Sequence, residues 1–500
     1  MRKKAAFLFL LKLIKIPLNL FLLSITAKYF GVSLSKDIWL LSFATMTVLD
    51  AAIWGPVNET FRSRFIFMKD EKSENFAIKQ TQSLLTYFLL FSILLSFIIT
   101  IFPLPVAKII APQYSTTELS ALANMIYWTV PVLLLNQMMQ IGVSILNAYE
   151  IFYVAEFSGF ISTIGNILLI YLFADKFGIY SLAIAYYIST FLLILFIIIF
   201  IVRTKIPLFK KNWSVEFSGF KSFFLFAIPF FLPYFFGQIN GLVEKVLAGK
   251  LAEGSISILD FSNRIPNMMY GIVISIITTL LVPILSKAYI RQDRDIFTME
   301  FQNMFRLGIL VIGFIAVFVF ANSVNIVNIL YGSGSISAVD LALISDVTIC
   351  YALTLFGVFS YVIFGMSLLS SRKEKYYAFI GMLTQIGVII LNFIFYRILS
   401  VYIFPLSILL SHLVFSYFMY QKFPFKEKLN LNLIKYIFLI LPIGVLIFIL
   451  KYFFTIDNAY ISVVFYTTVI VISFGVMAFV CNIEEKKLAL NFLNNYRSKR

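Results

Sequence analysis

Stretches of about 20 mostly apolar residues recur from one end of this chain to the other, each long enough to cross a hydrocarbon core as a helix. Backbone N–H and C=O groups cannot be left unpaired in lipid, so such stretches have to be helical. The expected fold class is therefore all-α: a polytopic membrane protein of about fourteen transmembrane helices. The spans fall near 5–28, 38–61, 84–107, 121–147, 155–174, 180–202, 222–246, 256–286, 303–330, 340–369, 376–396, 401–420, 433–450 and 459–481. The longest expected connection, Arg62 to Ser83, is too short for a folded extramembrane domain.

Composition agrees with lipid as the solvent. Hydrophobic residues make up 61% and charged ones 13% of the 500 residues, whereas a soluble domain carries about 25% charged residues. The formal charge of +16 would suit a polyanion if it were clustered. It is spread through short interhelical segments, which argues against a nucleic-acid partner and for membrane topology. With the N-terminus inside, about three-quarters of the 40 Lys and Arg fall in cytoplasmic segments. Both termini are therefore expected in the cytoplasm, and the chain in the inner (plasma) membrane. Lys12 and Lys15 interrupt the first span, so the basic Arg2-Lys3-Lys4 start does not read as a cleavable signal.

Chemistry-bearing motifs are scarce. Cys350, Cys481 and His412 all sit in apolar runs, with no metal-ligand spacing and no P-loop, so neither metal nor other cofactor is expected. A membrane glycosyltransferase would need a cluster of catalytic acids. Asp293-Arg-Asp295 is a lone pair in a short connection and reads as solvated charge. The chain is not expected to be an enzyme.

An internal repeat organises the spans. Residues 142–155 (GVSILNAYEIFYVA) align with 365–378 (GMSLLSSRKEKYYA), sharing Gly, Ser, Leu, Tyr and Ala at an offset of 223. The same offset places Gly31 on Gly254 and Asp37 on Asp260. The reading is two six-helix lobes, 1–212 and 213–425, followed by a segment, 426–500, of two extra helices and a basic tail. Paired lobes of this kind are a transporter architecture, with the substrate held between them and access alternating. A monomer suffices for that.

Ionisable groups inside spans are costly, about 2.5–3.5 kcal/mol each on insertion scales, and so mark candidate sites. Lys12, Lys15 and Asn19 share one face of the first span. Asp50 lies mid-way along the second, with Asn58 and Glu59 near its inner end, and a first-span lysine is its expected partner. The seventh span contains Gln238, Asn240 and Glu244. The eighth opens with Asp260 and Arg264, spaced i,i+4 on one face. Basic side chains at membrane depth point to an anionic headgroup, diphosphate being the natural match. They argue against a cation-coupled multidrug exporter.

Several of these residues also carry a resemblance. Gln238-Ile-Asn240, Glu244-Lys-Val-Leu-Ala248, the run from Gly254 to Ile265 that includes Arg264, and Pro283-Ile-Leu-Ser-Lys287 resemble the seventh and eighth helices of the lipid II flippase family (MurJ/MviN type). That family belongs to the multidrug/oligosaccharidyl-lipid/polysaccharide exporter superfamily. The resemblance implies a flippase moving an undecaprenyl-diphosphate-linked saccharide of the peptidoglycan pathway outward, with cell-envelope biosynthesis enzymes as neighbours. A flippase for another lipid-linked oligosaccharide, such as an O-antigen or exopolysaccharide unit, is the alternative. By the resemblance Arg264 is the family's eighth-helix arginine, Asp37 its acid opening the second helix, and Glu59 its glutamate near that helix's inner end. The extra helices, 433–481, would form a lipid-facing groove. Where the family's first helix carries arginines, this chain has Ile16, Leu22 and Lys28.

Overall fold

The computed structural model describes residues 2–149, 151, 153–209, 212–454 and 456–480; the side chains of 2–13, 153, 155, 156, 158, 229, 233 and 275–280 lie outside the described set. Among the described residues the regular structure is helical throughout. In the first half of the chain run α1 (Arg2–Phe30), α2 (Leu34–Glu71), α3 (Glu74–Ile101), α4 (Pro103–Ile110), α5 (Thr116–Thr129), α6 (Val132–Ala148), α7 (Tyr153–Phe177), α8 (Tyr180–Arg203) and α9 (Phe217–Ala248). Then come α10 (Ser255–Ile290), α11 (Arg294–Tyr331), α12 (Ala338–Ser370), α13 (Glu374–Leu399), α14 (Ile403–Gln421), α15 (Leu433–Phe453) and α16 (Ala459–Val480). Each expected span overlies one or two of these helices. Ten helical stretches among the described residues are long and apolar enough to cross a membrane, or eleven if the bent pair Phe217–Ile228 and Phe230–Ala248 counts as one span.

Local sequence explains where the helices begin and end. Ser33, Ser73 and Ser337 each accept a hydrogen bond from the backbone N–H three residues on, capping α2, α3 and α12. Ser115 and Glu118 form a reciprocal capping box at the start of α5. α7 and α8 separate at Gly178, where φ is +52°, the break expected from the sequence. Two boundaries differ from expectation. The connection expected over Arg62–Ser83 is almost entirely helical, because α2 runs on to Glu71 and α3 starts at Glu74. Neither Pro nor Gly falls between Arg62 and Ser83, so nothing stops the helices at the membrane surface. The expected span 121–147 is broken at Pro131 into α5 and α6, since proline offers no N–H to continue the ladder.

The chain divides into two compact units, residues 1–257 with 334–336, and residues 258–333 with 337–500. In the first, α2 packs on α6 and α9 around Trp54, Phe61, Phe65, Phe88 and Phe223. The rings of Phe61 and Phe223 stack 5.1 Å apart and nearly parallel. Close approach of α2 and α9 depends on Gly55, where a Cβ would stand 2.0 Å from Cε1 of Tyr234. Gly55→Ala is therefore expected to cost about 1–3 kcal/mol through overpacking, read as lower thermal stability in detergent. Adding Tyr234→Leu should relieve the clash, so strictly additive losses in the double variant would count against this contact.

In the second unit α12 packs on α11 and α14, and α11 packs in turn on α15 and α16. Its core is aromatic, built on Phe297, Phe301, Phe305, Phe359 and Phe364. Large apolar side chains such as Phe448 and Phe479 are exposed on α15 and α16, as lipid-facing helices require.

The repeat leaves a conformational trace. Gly31 (φ +54°) and Gly254 (φ +84°) both adopt the left-handed conformation just ahead of a helix, α2 and α10 respectively.

Candidate functional site

The first unit contains a polar pocket of 310 Å³, walled by Asp50, Asn58, Glu59 and Arg62 of α2, Gln140, Ser144 and Asn147 of α6, and Tyr234 of α9. Asp50 is 5% exposed, and a carboxyl so placed needs a donor. Gln137 of α6 supplies it, donating from Nε2 to Asp50 Oδ1. Asn58 donates in turn to Gln137 Oε1 at 3.4 Å. Among the described side chains the amides of Gln137 and Asn136, and not a first-span lysine, bond Asp50. Lys12 lies outside the described side chains, and Lys15 lies against α7, its Nζ 2.9 Å from where a Cβ on Gly159 would stand. Asn19 is half-buried on α1.

Asp37 lies elsewhere in the same unit and is 2% exposed. Its Oδ2 accepts from the Gly254 N–H at 2.9 Å, and its Oδ1 from the N–H and hydroxyl of Ser257 at 2.7 and 2.5 Å. Leu34 N–H, at the start of α2, donates to Glu253 Oε1 at 3.1 Å. Two helix N-termini thus meet, each bonded to a carboxylate from the other's side, which suits the positive end of both dipoles. The geometry gives Asp37 a capping role.

In the second unit, Asp260, Arg264, Asn267 and Gly271 follow one another at helical spacing along α10, the last three exposed. Arg264 Nη2 donates to Asp260 Oδ1 at 2.8 Å, with the arginine side chain 51% exposed and the aspartate 13%. The pair read from the i,i+4 spacing is formed, and the arginine side chain remains half exposed. Gln238, Asn240 and Glu244 are partly buried on α9, and the α9 residue in the first unit's pocket is Tyr234, one turn earlier. The second unit also has an apolar groove of 450 Å³ between α11, α12 and α15, lined by Phe320, Phe356 and Phe448 among others.

Sequence reading missed the α6 wall. Gln137, Gln140, Ser144 and Asn147 fall at steps of three, four and three residues, one face of a helix in an otherwise apolar span. That periodicity was a readable signal. Tyr234 carried none, standing among the many aromatics of α9.

Comparison with known proteins decides the family. The sequence profile described as lipid II flippase MurJ matches residues 26–472. The chain belongs to the lipid II flippase MurJ family. Its members are transporters and not enzymes, which sets the glycosyltransferase reading aside, and the family sits in the bacterial inner membrane. A protein named probable lipid II flippase MurJ from Borreliella burgdorferi is 25% identical over 360 residues, covering 71% of this chain and 68% of that protein. One of the same name from Aquifex aeolicus is 27% identical over 440 residues, covering 82% and 81%. A solved lipid II flippase MurJ in an inward closed conformation matches with a TM-score of 0.82 at 21% identity, over 97% of this chain and all of that one. An inward-facing multidrug transporter of the MATE family matches at 0.67 and 13% identity, over 81% and 93%. These likenesses show a shared fold with the MurJ family and with MATE-type exporters.

Proposed function

We propose that this chain flips an undecaprenyl-diphosphate-linked saccharide, the lipid II peptidoglycan precursor, from the inner to the outer leaflet. The lobes 1–212 and 213–425 alternate access, both termini are cytoplasmic, and 426–500 adds two further helices. The observation that carries this reading is Arg264: a cation on an apolar helix, paired to Asp260 yet half exposed. In lipid such a group is expensive unless it faces a polar chamber, and its planar fork matches phosphate oxygens two at a time. Family membership supports the substrate class. The apolar groove along α15 suits the polyprenyl tail. With the cell interior negative, outward movement of the anionic headgroup gains about 2.3 kcal/mol per uncompensated charge per 100 mV.

Depleting the protein from growing cells is the direct test. Undecaprenyl-diphosphate-linked disaccharide should build up in the inner leaflet, inaccessible to reagents added outside. Depletion that leaves this lipid on the outer face at its normal level rejects the function. Build-up of a different lipid-linked sugar would point to the O-antigen or exopolysaccharide alternative.

A further inference from the structure

We infer that the pocket enclosed by α2, α6 and α9 binds the saccharide of the transported lipid and not its diphosphate. The inference rests on the flippase reading and divides that substrate into two separately recognised parts.

Charge is the first argument. Two carboxyl groups, Asp50 and Glu59, face one guanidinium, Arg62, around this cavity. A diphosphate brought here would meet at least as much negative charge as positive. The exposed cation Arg264 is on a different helix, in the other compact unit.

Hydrogen-bonding chemistry is the second. The remaining polar wall is neutral: Asn58, Gln140, Ser144 and Asn147. Amide and hydroxyl side chains each offer both donors and acceptors. Sugar hydroxyl and acetamido groups do the same, so the two sets match without any charge. Asn58 Oδ1 is buried with no hydrogen-bond partner, an acceptor the fold itself leaves unmet.

Shape is the third. The volume of 310 Å³ is at the small end of ligand pockets, which run from about 300 to 1,000 Å³. It takes a part of a lipid-linked disaccharide and not the whole. The ring of Tyr234, held against Gly55, gives an otherwise polar cavity one flat aromatic wall, the surface on which the C–H face of a sugar ring packs. On the α2 side of the cavity, buried Gln137 of α6 bonds to both Asp50 and Asn58 and holds these two polar groups in place.

A pocket built to bond hydroxyls discriminates strongly against a ligand that lacks them, because its own polar groups then go unanswered. The test uses two probes with purified full-length protein in nanodiscs: undecaprenyl diphosphate, and the same lipid bearing the disaccharide. Wild type should bind the sugar-bearing lipid at least tenfold more tightly. The double variant Gln140→Ala/Asn147→Ala alters an exposed and a half-buried side chain, so folding should be unaffected. Its preference for the sugar-bearing lipid should shrink to within twofold, with the Kd for undecaprenyl diphosphate unchanged. An undiminished preference, or an equal weakening of both probes, overturns the inference. Wild type that binds both lipids equally overturns this inference alone, and wild type that binds neither overturns the flippase reading as well.

Discussion

Arg264→Ala is expected to abolish flipping while leaving the protein folded. The stability side follows from exposure. Arg264 is half exposed and its ion pair with Asp260 is of the i,i+4 kind, worth about 0.3–0.5 kcal/mol in exposed helices. Expression and thermal unfolding in detergent should therefore stay close to wild type. The transport side follows from charge-assisted hydrogen bonding. Each hydrogen bond from a guanidinium to a charged acceptor contributes about 1.5–3 kcal/mol. Losing a two-pronged contact to diphosphate then lowers the rate by at least about a hundredfold at 1.36 kcal/mol per decade. Arg264→Lys keeps the charge without the planar fork and should fall between. Asp260→Ala separates a binding role from a structural one. If Asp260 only aims the arginine, its loss should cost several-fold less than loss of Arg264. Equal losses would mark the pair as a helix clamp. Wild-type complementation by Arg264→Ala would remove the arginine from the mechanism.

The sequence was most informative where lipid imposes a single solution. Apolar length placed each expected span on helix but missed the continuation of α2 and α3 through Arg62–Ser83, while the i,i+4 spacing of Asp260 and Arg264 was enough to anticipate their bond. Gly31 and Gly254, matched by the repeat, turned out to share the left-handed conformation ahead of a helix. Partnerships across the fold were not legible. Asp50 is bonded to Gln137, 87 positions away, and Asp37 to Ser257, 220 positions away. Spacing along one helix says which face a group occupies, but not which helix will be packed against that face. The second-helix acids illustrate the consequence. Asp37, Asp50 and Glu59 are three carboxyls along one helix by sequence, yet Asp37 caps a second helix while Asp50, bonded by Gln137, and Glu59 line a pocket.

Asp37→Ala should have the opposite signature to Arg264→Ala: a loss of stability first and of transport only as a result. Asp37 is buried and both of its oxygens are occupied, receiving two backbone N–H groups and one hydroxyl from residues 254–257. Alanine leaves those donors without an acceptor at a site closed to water. Stranding a buried polar group costs about 1–3 kcal/mol, so losing this acceptor set should cost about 3 kcal/mol or more. The first turn of α10 also loses the negative charge opposite its dipole. Asp37→Asn keeps one acceptor oxygen but turns an NH2 toward a backbone N–H, so it should recover only part of the loss. Thermal unfolding of the purified variants in one detergent measures the stability, and flipping per folded molecule measures the rest. Flipping per folded molecule should stay near wild type in Asp37→Ala protein grown at low temperature. A variant of wild-type stability that no longer flips would transfer Asp37 from the capping role to the substrate.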